Sequence, residues 1–179
     1  MGRGISGFSQ NCEMSIEFPK RKKIRLQEYD YSTAGAYFIT ICVRDRRRIL
    51  WDFVGADIIR PNDIRLSKYG LIVEKAINNI STYYEDISVD KFSIMPDHIH
   101  LIISSKDGRI ISAPTMSRVV GQMKRWVSKE AKTSFWQKSY YDHIVRNEKD
   151  YEEIWQYVEH NPRMWIEKYQ SQTERLEIK

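Results

Sequence analysis

Apolar and polar positions follow two periods along this chain. Residues 36–44, Ala-Tyr-Phe-Ile-Thr-Ile-Cys-Val-Arg, are rich in β-branched and aromatic side chains and predict a buried strand. A charged connection with a Pro61-Asn62-Asp63 turn follows over residues 45–63. From Ser67, a residue suited to an N-cap, Leu71, Ile72, Lys75, Ala76 and Asn79 fall at helical spacing, with Gly70 weakening the pattern near its start. Residues 87–94 and 98–104 alternate as strands around the short turn Met95-Pro96-Asp97 and predict a hairpin. Residues 105–114 read as a loop. Over residues 117–132, Val119, Val120, Met123 and Val127 share one helical face. Residues 140–145 form a fourth candidate strand. A last helix is expected from Glu148 to about His160, because Pro162 disfavours helical geometry at Asn161.

Strand, helix, strand, strand, helix, strand, helix is the order of a ferredoxin-like split βαβ domain of the α+β class: an antiparallel sheet, helices on one face, and an added C-terminal helix. The expected organisation is a flexible arm over residues 1–19, one domain over 20–168 and a tail over 169–179. Such a fold does not specify chemistry.

Composition narrows the setting. The chain has 179 residues, of which 41% are apolar and 30% charged, as in ordinary globular domains. It contains no apolar run near the ~20 residues of a membrane helix and no signal-peptide core before its first charges. Cys12 and Cys42 have no metal-type spacing. A cytoplasmic protein with no membrane partner is therefore expected, and the sequence leaves monomer and homodimer open. The net charge of +5 favours a polyanionic partner only mildly. The charges are clustered, however: Lys20, Arg21, Lys22, Lys23 and Arg25 form one basic run, Arg44, Arg46, Arg47 and Arg48 a second, and Lys124, Arg125 and Lys129 lie at helical spacing. Each could equally be solvated surface.

The candidate chemistry begins at His98 and His100. Two apart on a strand, they project to one face while Ile99 and Leu101 project to the other. Paired imidazoles on a rigid strand can bind one divalent cation, or can simply be hydrogen-bonded strand residues. A third ligand would have to come from elsewhere, and the Asn161 carbonyl oxygen on the last helix is a candidate. Tyr157 shares a helical face with Asn161. A phenol of ordinary pKa, about 10, is a poor nucleophile unless the phosphate it attacks is polarised. Tyr157 could also be a core residue, since tyrosines at helical spacing usually are.

Met95-Pro-Asp-His-Ile-His-Leu-Ile-Ile103 resembles the H-U-H signature (U being a bulky apolar residue) of the single-tyrosine, single-strand DNA transposases. Three further segments are similar to the motifs of one branch, the REP-associated tyrosine transposases: Arg25-Leu26 with Tyr29–Ser32 and Gly35–Phe38, then Phe135–Glu148, then Tyr157-Val-Glu-His-Asn-Pro162. The four occur in the family's order, from about Arg21 to Trp165. The resemblance implies an H-U-H nuclease domain in which His98 and His100 hold Mg²⁺ or Mn²⁺ and Asn161 completes the metal site. Tyr157 would attack single-stranded DNA that folds into palindromic hairpins, and a 5′-phosphotyrosine intermediate would allow strands to be rejoined. Asp97 stands where many relatives carry Asn, which suggests a turn cap or an added ligand. His143 is expected as a strand residue or DNA contact, and His160 adjoins Asn161 and could compete for the ion, though it faces differently on the helix.

Single strands are held by backbone charge and aromatic stacking. Lys22, Lys23, Arg25, Lys124, Arg125 and Arg146 are the expected phosphate contacts, interleaved in the C-terminal half with Trp126, Trp136, Tyr140 and Tyr141, aromatics that could equally be core. Three rival readings exist. A histidine-triad nucleotide hydrolase would need a third histidine where Ile102 stands. A replication-initiation nickase shares the H-U-H chemistry but fits the C-terminal motifs less well. A domesticated palindrome-binding protein would no longer cut DNA.

Overall fold

β1 (Tyr37–Cys42) is the hub of a four-stranded antiparallel sheet in the computed structural model, which describes residues 35–52, 64–105 and 111–177. The arm expected over residues 1–19 and the basic residues Lys22, Lys23 and Arg25 lie outside the described residues. β2 (Ile87–Ile94), β3 (His98–Ser105) and β4 (Tyr141–Ile144) complete a sheet of order β2-β3-β1-β4. This is the ferredoxin-like α+β arrangement expected from the pattern. No helix among the described residues is long and apolar enough to cross a membrane.

Each face of the sheet has its own core. On one face, Tyr37, Ile39 and Ile41 of β1 join Ile99, Leu101 and Ile103 of β3 beneath α1 (Lys68–Asn78), the short α2 (Ile80–Tyr83) and α3 (Ala113–Glu130). On the other, Phe38 and Ile102 pack under Ile154 and Val158 of α4 (Glu148–Glu177). β2 keeps Ile87 and Val89, then Phe92 and Ile94, toward the first face because its register against β3 shifts between Val89 and Lys91. The extra residue of this β-bulge reverses the alternation. Asp90, inside the bulge, accepts hydrogen bonds from the hydroxyls of Ser88 (2.7 Å), Ser104 (2.8 Å) and Tyr151 (3.2 Å), tying the hairpin to the first turns of α4.

Ser67 caps α1 as expected, its Oγ accepting from the amides of Tyr69 and Gly70. Gly70 is required by close approach: a Cβ there would lie 2.2 Å from the Leu50 carbonyl oxygen. Two expectations are corrected. The stretch read as a loop to Pro114 already contains the start of α3, with Ser112 as N-cap and the proline in the first turn, where its missing N–H has no partner to lose. The last helix does not stop before Pro162. It runs through the proline to Glu177, into the stretch expected as a tail. An interior proline opposes a helix by about 3 kcal/mol. Beyond it, Ile166 is fully buried with Trp51 and Met95, and Trp165 packs edge-on against Trp51 at 5.3 Å. That burial offsets the proline.

Candidate active site

β3 begins directly after the turn at Pro96 and Asp97, and its alternation turns His98 and His100 toward the α4 face. Both imidazoles are buried, each only 3% exposed. Their Nε2 atoms meet at 3.1 Å. The outer nitrogens are held from behind. His98 Nδ1 donates to Asp97 Oδ1 at 2.5 Å, and His100 Nδ1 meets Thr40 Oγ1 at 2.9 Å. A carboxylate can only accept, so Asp97 holds a proton on His98 Nδ1, and the neutral ring would then offer Nε2 as its lone pair. Thr40 both donates and accepts and can serve either tautomer of His100. β1 supplies Thr40 because it is the register partner of His100 in the antiparallel pair.

The electrostatics favour an unprotonated His100 as a donor. Burial, then the neighbouring His98, then the Arg46 guanidinium hold the pKa of His100 well below its usual range. The Asp97 carboxyl is lowered although burial opposes this, because the hydrogen bond and charge of His98, then Arg46 and Arg48, favour its ionised form. Two nitrogens bound to one ion at about 2.1 Å and a right angle stand about 3.0 Å apart. The observed 3.1 Å is a hydrogen bond between the two rings, and it is also close to the separation that a shared divalent cation would need. No group of three His, Cys, Asp or Glu side chains completes such a site among the described residues.

α4 brings Tyr157 over this pair. Its ring lies 5.2 Å from the His100 ring and meets Phe38 edge-on at 5.9 Å, while Phe38 stacks on His100. Tyr157 is half-buried. Asn161, one turn further on, is also half-buried. His160 is exposed and donates from Nδ1 to the Gln156 carbonyl oxygen. His143 lies on β4 with its Nε2 3.0 Å from Asp150 Oδ2.

The basic candidates are dispersed. Arg146 is exposed in the turn between β4 and α4. Lys124 and Arg125 lie on α3, on the sheet face opposite α4. Arg125 is exposed, whereas the Lys124 ammonium donates to the carbonyl oxygens of Gln137 (3.0 Å) and Ser139 (2.9 Å). Burial lowers its pKa. Sequence reasoning gave Thr40 and Phe38 no role at the site and read Arg46 only as one member of a basic run. Strand alternation puts Phe38 and Thr40 on one face, but only the register with β3 identifies that face as the one carrying the histidines.

Known proteins resemble this chain in sequence and in fold. An uncharacterised protein of Haemophilus influenzae is 29% identical over 81% of this chain and 89% of its own length. A second protein of that organism, described provisionally as a REP-associated tyrosine transposase, is 26% identical over 74% of this chain and 73% of its own. The solved structure of a REP-associated tyrosine transposase bound to a REP hairpin shares the fold, with a TM-score of 0.55 and 20% identity over 81% of this chain and 73% of that one. The family model described as transposase IS200-like matches residues 32–161, a span that takes in the His98–His100 pair and the Tyr157–Asn161 turn of α4, and the chain belongs to that family.

Proposed function

We propose that this chain cuts and rejoins single-stranded hairpin DNA, with Tyr157 as nucleophile and His98, His100 and Asn161 holding Mg²⁺ or Mn²⁺. The observation that carries the reading is the convergence of two imidazole Nε2 atoms at 3.1 Å beneath the Tyr157 ring. Nitrogen donors favour Mn²⁺ over Mg²⁺. The bound ion would polarise the scissile phosphate and offset the charge that develops on its oxygens.

The protein's own groups do the rest. Asp97 and Thr40 hold the two imidazoles in place from behind. Phe38 and His100 pack against the Tyr157 ring and fix where its hydroxyl can lie. The phenolic oxygen attacks phosphorus in line and its proton leaves to solvent. The bond from phosphorus to the 3′ oxygen breaks, leaving a 5′-phosphotyrosine and a free 3′-hydroxyl. A second 3′-hydroxyl then attacks the phosphotyrosine, a phosphodiester forms and the phenol is released. The covalent intermediate conserves the bond energy, so no nucleotide cofactor is needed. The REP hairpin bound by the related transposase supports palindromic repeats as the substrate class. Residues such as Arg146 and Arg125 would contribute phosphate contacts.

The test is a denaturing gel of the protein incubated with Mn²⁺ and labelled hairpin oligonucleotides from the palindromic repeats beside its own gene. A covalent adduct that requires metal and vanishes in Tyr157→Phe and His98→Ala is the expected result. An adduct that persists in Tyr157→Phe moves the nucleophile elsewhere. Tight hairpin binding with no adduct in any metal favours a palindrome-binding protein that does not cut.

A further inference from the structure

The basic turn after β1 borders the histidine pair and has no role in the reading above. Residues 44–48 are exposed throughout, and four of the five are arginines. Backbone hydrogen bonds join this turn to the segment that leads into His98: Val43 N–H donates to the Asp97 carbonyl oxygen at 2.8 Å, and Leu50 N–H to that of Pro96 at 3.0 Å. Asp45 and Arg46 both adopt left-handed backbone, with φ of 58° and 51°. Two consecutive non-glycine residues in that region are held there only when the surroundings require it, and such strain gathers at functional sites.

The turn places Arg46 against Asp97. Its Nη1 lies 3.6 Å from Asp97 Oδ2, while Oδ1 of the same carboxylate holds His98. The contact is longer than a charge-assisted hydrogen bond, and the arginine side chain is 45% exposed. Among the described residues, no other carboxylate pairs with it. Arg48 lies against α4, its guanidinium 5.2 Å from the ring of Trp165, two turns beyond Tyr157 on the same helix. A guanidinium fork matches two phosphate oxygens at once, whereas here it has one loose carboxylate contact.

We infer that this turn is a phosphate-binding subsite for the single strand, in which Arg46 exchanges its loose contact with Asp97 for a backbone phosphate flanking the bond to be cut. The inference rests on the cleavage reading, because it takes the DNA strand to pass over the histidine pair. It assigns Arg46 a direct contact with substrate, separate from any support it gives Asp97.

Binding should be measured in a Tyr157→Phe background, so that cleavage does not consume the complex. The probes are the same hairpin oligonucleotides, each with one neutral methylphosphonate at a successive position of the single-stranded flank. Arg46→Asn is the main variant, because asparagine tolerates the left-handed backbone and should preserve the turn. Arg46→Lys keeps the charge and loses the fork. At one flank position the methylphosphonate should weaken binding by the parent by about tenfold. Arg46→Asn should weaken binding of unmodified DNA to a similar degree and show no further loss with that methylphosphonate. Its slope of log affinity against log salt should fall by about 0.7, the single-strand value for one phosphate contact. Arg46→Lys should keep the slope and recover part of the affinity. Losses that multiply at every position, or an unchanged salt slope, overturn the subsite and leave the cleavage reading standing. A parent that binds none of the hairpins overturns the cleavage reading and the subsite with it.

Discussion

Asp97→Ala separates orientation of the metal ligands from the chemistry they support. The Asp97 carboxylate lies 2.5 Å from His98 Nδ1 and is the only acceptor that holds that ring nitrogen among the described contacts. Without it, His98 can rotate or take the other tautomer, and the lone pair that meets His100 at 3.1 Å is lost for part of the time. Removing a carboxylate of this kind typically lowers metal affinity 10- to 100-fold, or about 1.4–2.7 kcal/mol. The Mn²⁺ concentration giving half-maximal adduct formation should rise by that factor, and saturating Mn²⁺ should restore most of the adduct. Asp97→Asn keeps a carbonyl oxygen that can accept from Nδ1–H and should stay within about threefold of the parent. Titrating Mn²⁺ against the initial rate of adduct formation measures both. An Asp97→Ala protein with unchanged Mn²⁺ dependence would refute the orienting role. So would one whose activity no Mn²⁺ concentration restores although it melts like the parent.

Three further outcomes test the framework. Gly70→Ala should destabilise the protein by about 2 kcal/mol or more in urea unfolding, although alanine is the better helix former, because its Cβ would stand 2.2 Å from the Leu50 carbonyl oxygen; a neutral or stabilising result would show that the contact relaxes freely. Pro162→Ala should raise the melting temperature by restoring an amide donor to the Val158 carbonyl oxygen, a gain of about 1–3 kcal/mol; an unchanged melting temperature would mean that the helix carries no penalty at this position. The Tyr151 phenol is pushed up to about 12 by burial, then by the charge of Asp90 and its hydrogen bond to that carboxylate. Its folded value thus lies above its unfolded one, so its contribution to stability is whole below about pH 10 and is lost as pH rises toward 12. Melting curves across that window should fall less steeply for Tyr151→Phe than for the parent, and parallel curves would dissociate Tyr151 from the alkaline loss.

The elements were legible where one local rule governed them. The β-branched run at Tyr37–Cys42 and the apolar stripe of Val119, Val120, Met123 and Val127 each imply a buried face, and each has one. Alternation alone was enough to put His98 and His100 on a common side of β3. Positions where a distant partner decides were not legible. Pro162 reads locally as a stop, and only the packing of Ile166 and Trp165 onto Trp51 and Met95 carries the helix past it. Gly70 reads as a weak helix residue, and the Leu50 carbonyl that excludes any other residue comes from a separate segment. Lys124 beside Arg125 and Trp126 reads as a phosphate contact, yet its ammonium is held by two main-chain carbonyls of the approach to β4. Thr40 carries no local signature and Arg46 shows only as part of a basic run, because what they touch is set by strand register and by a left-handed turn.

The two-sided sheet separates the durability of the fold from the durability of the site. The face under α1 and α3 holds most of the buried apolar residues, whereas α4 rests on two smaller clusters, one near Ile154 and Val158 and one near Ile166. Opening free energies follow such differences in local packing. α4 is therefore the layer expected to detach first, as a sub-global unit, while β1 and β3 stay paired beneath it. Detachment withdraws Tyr157 from the histidines but leaves the histidines on their strand. Amide protons of α4 should exchange before those of β1 and β3, and heat should abolish catalysis at a temperature where the sheet is still intact.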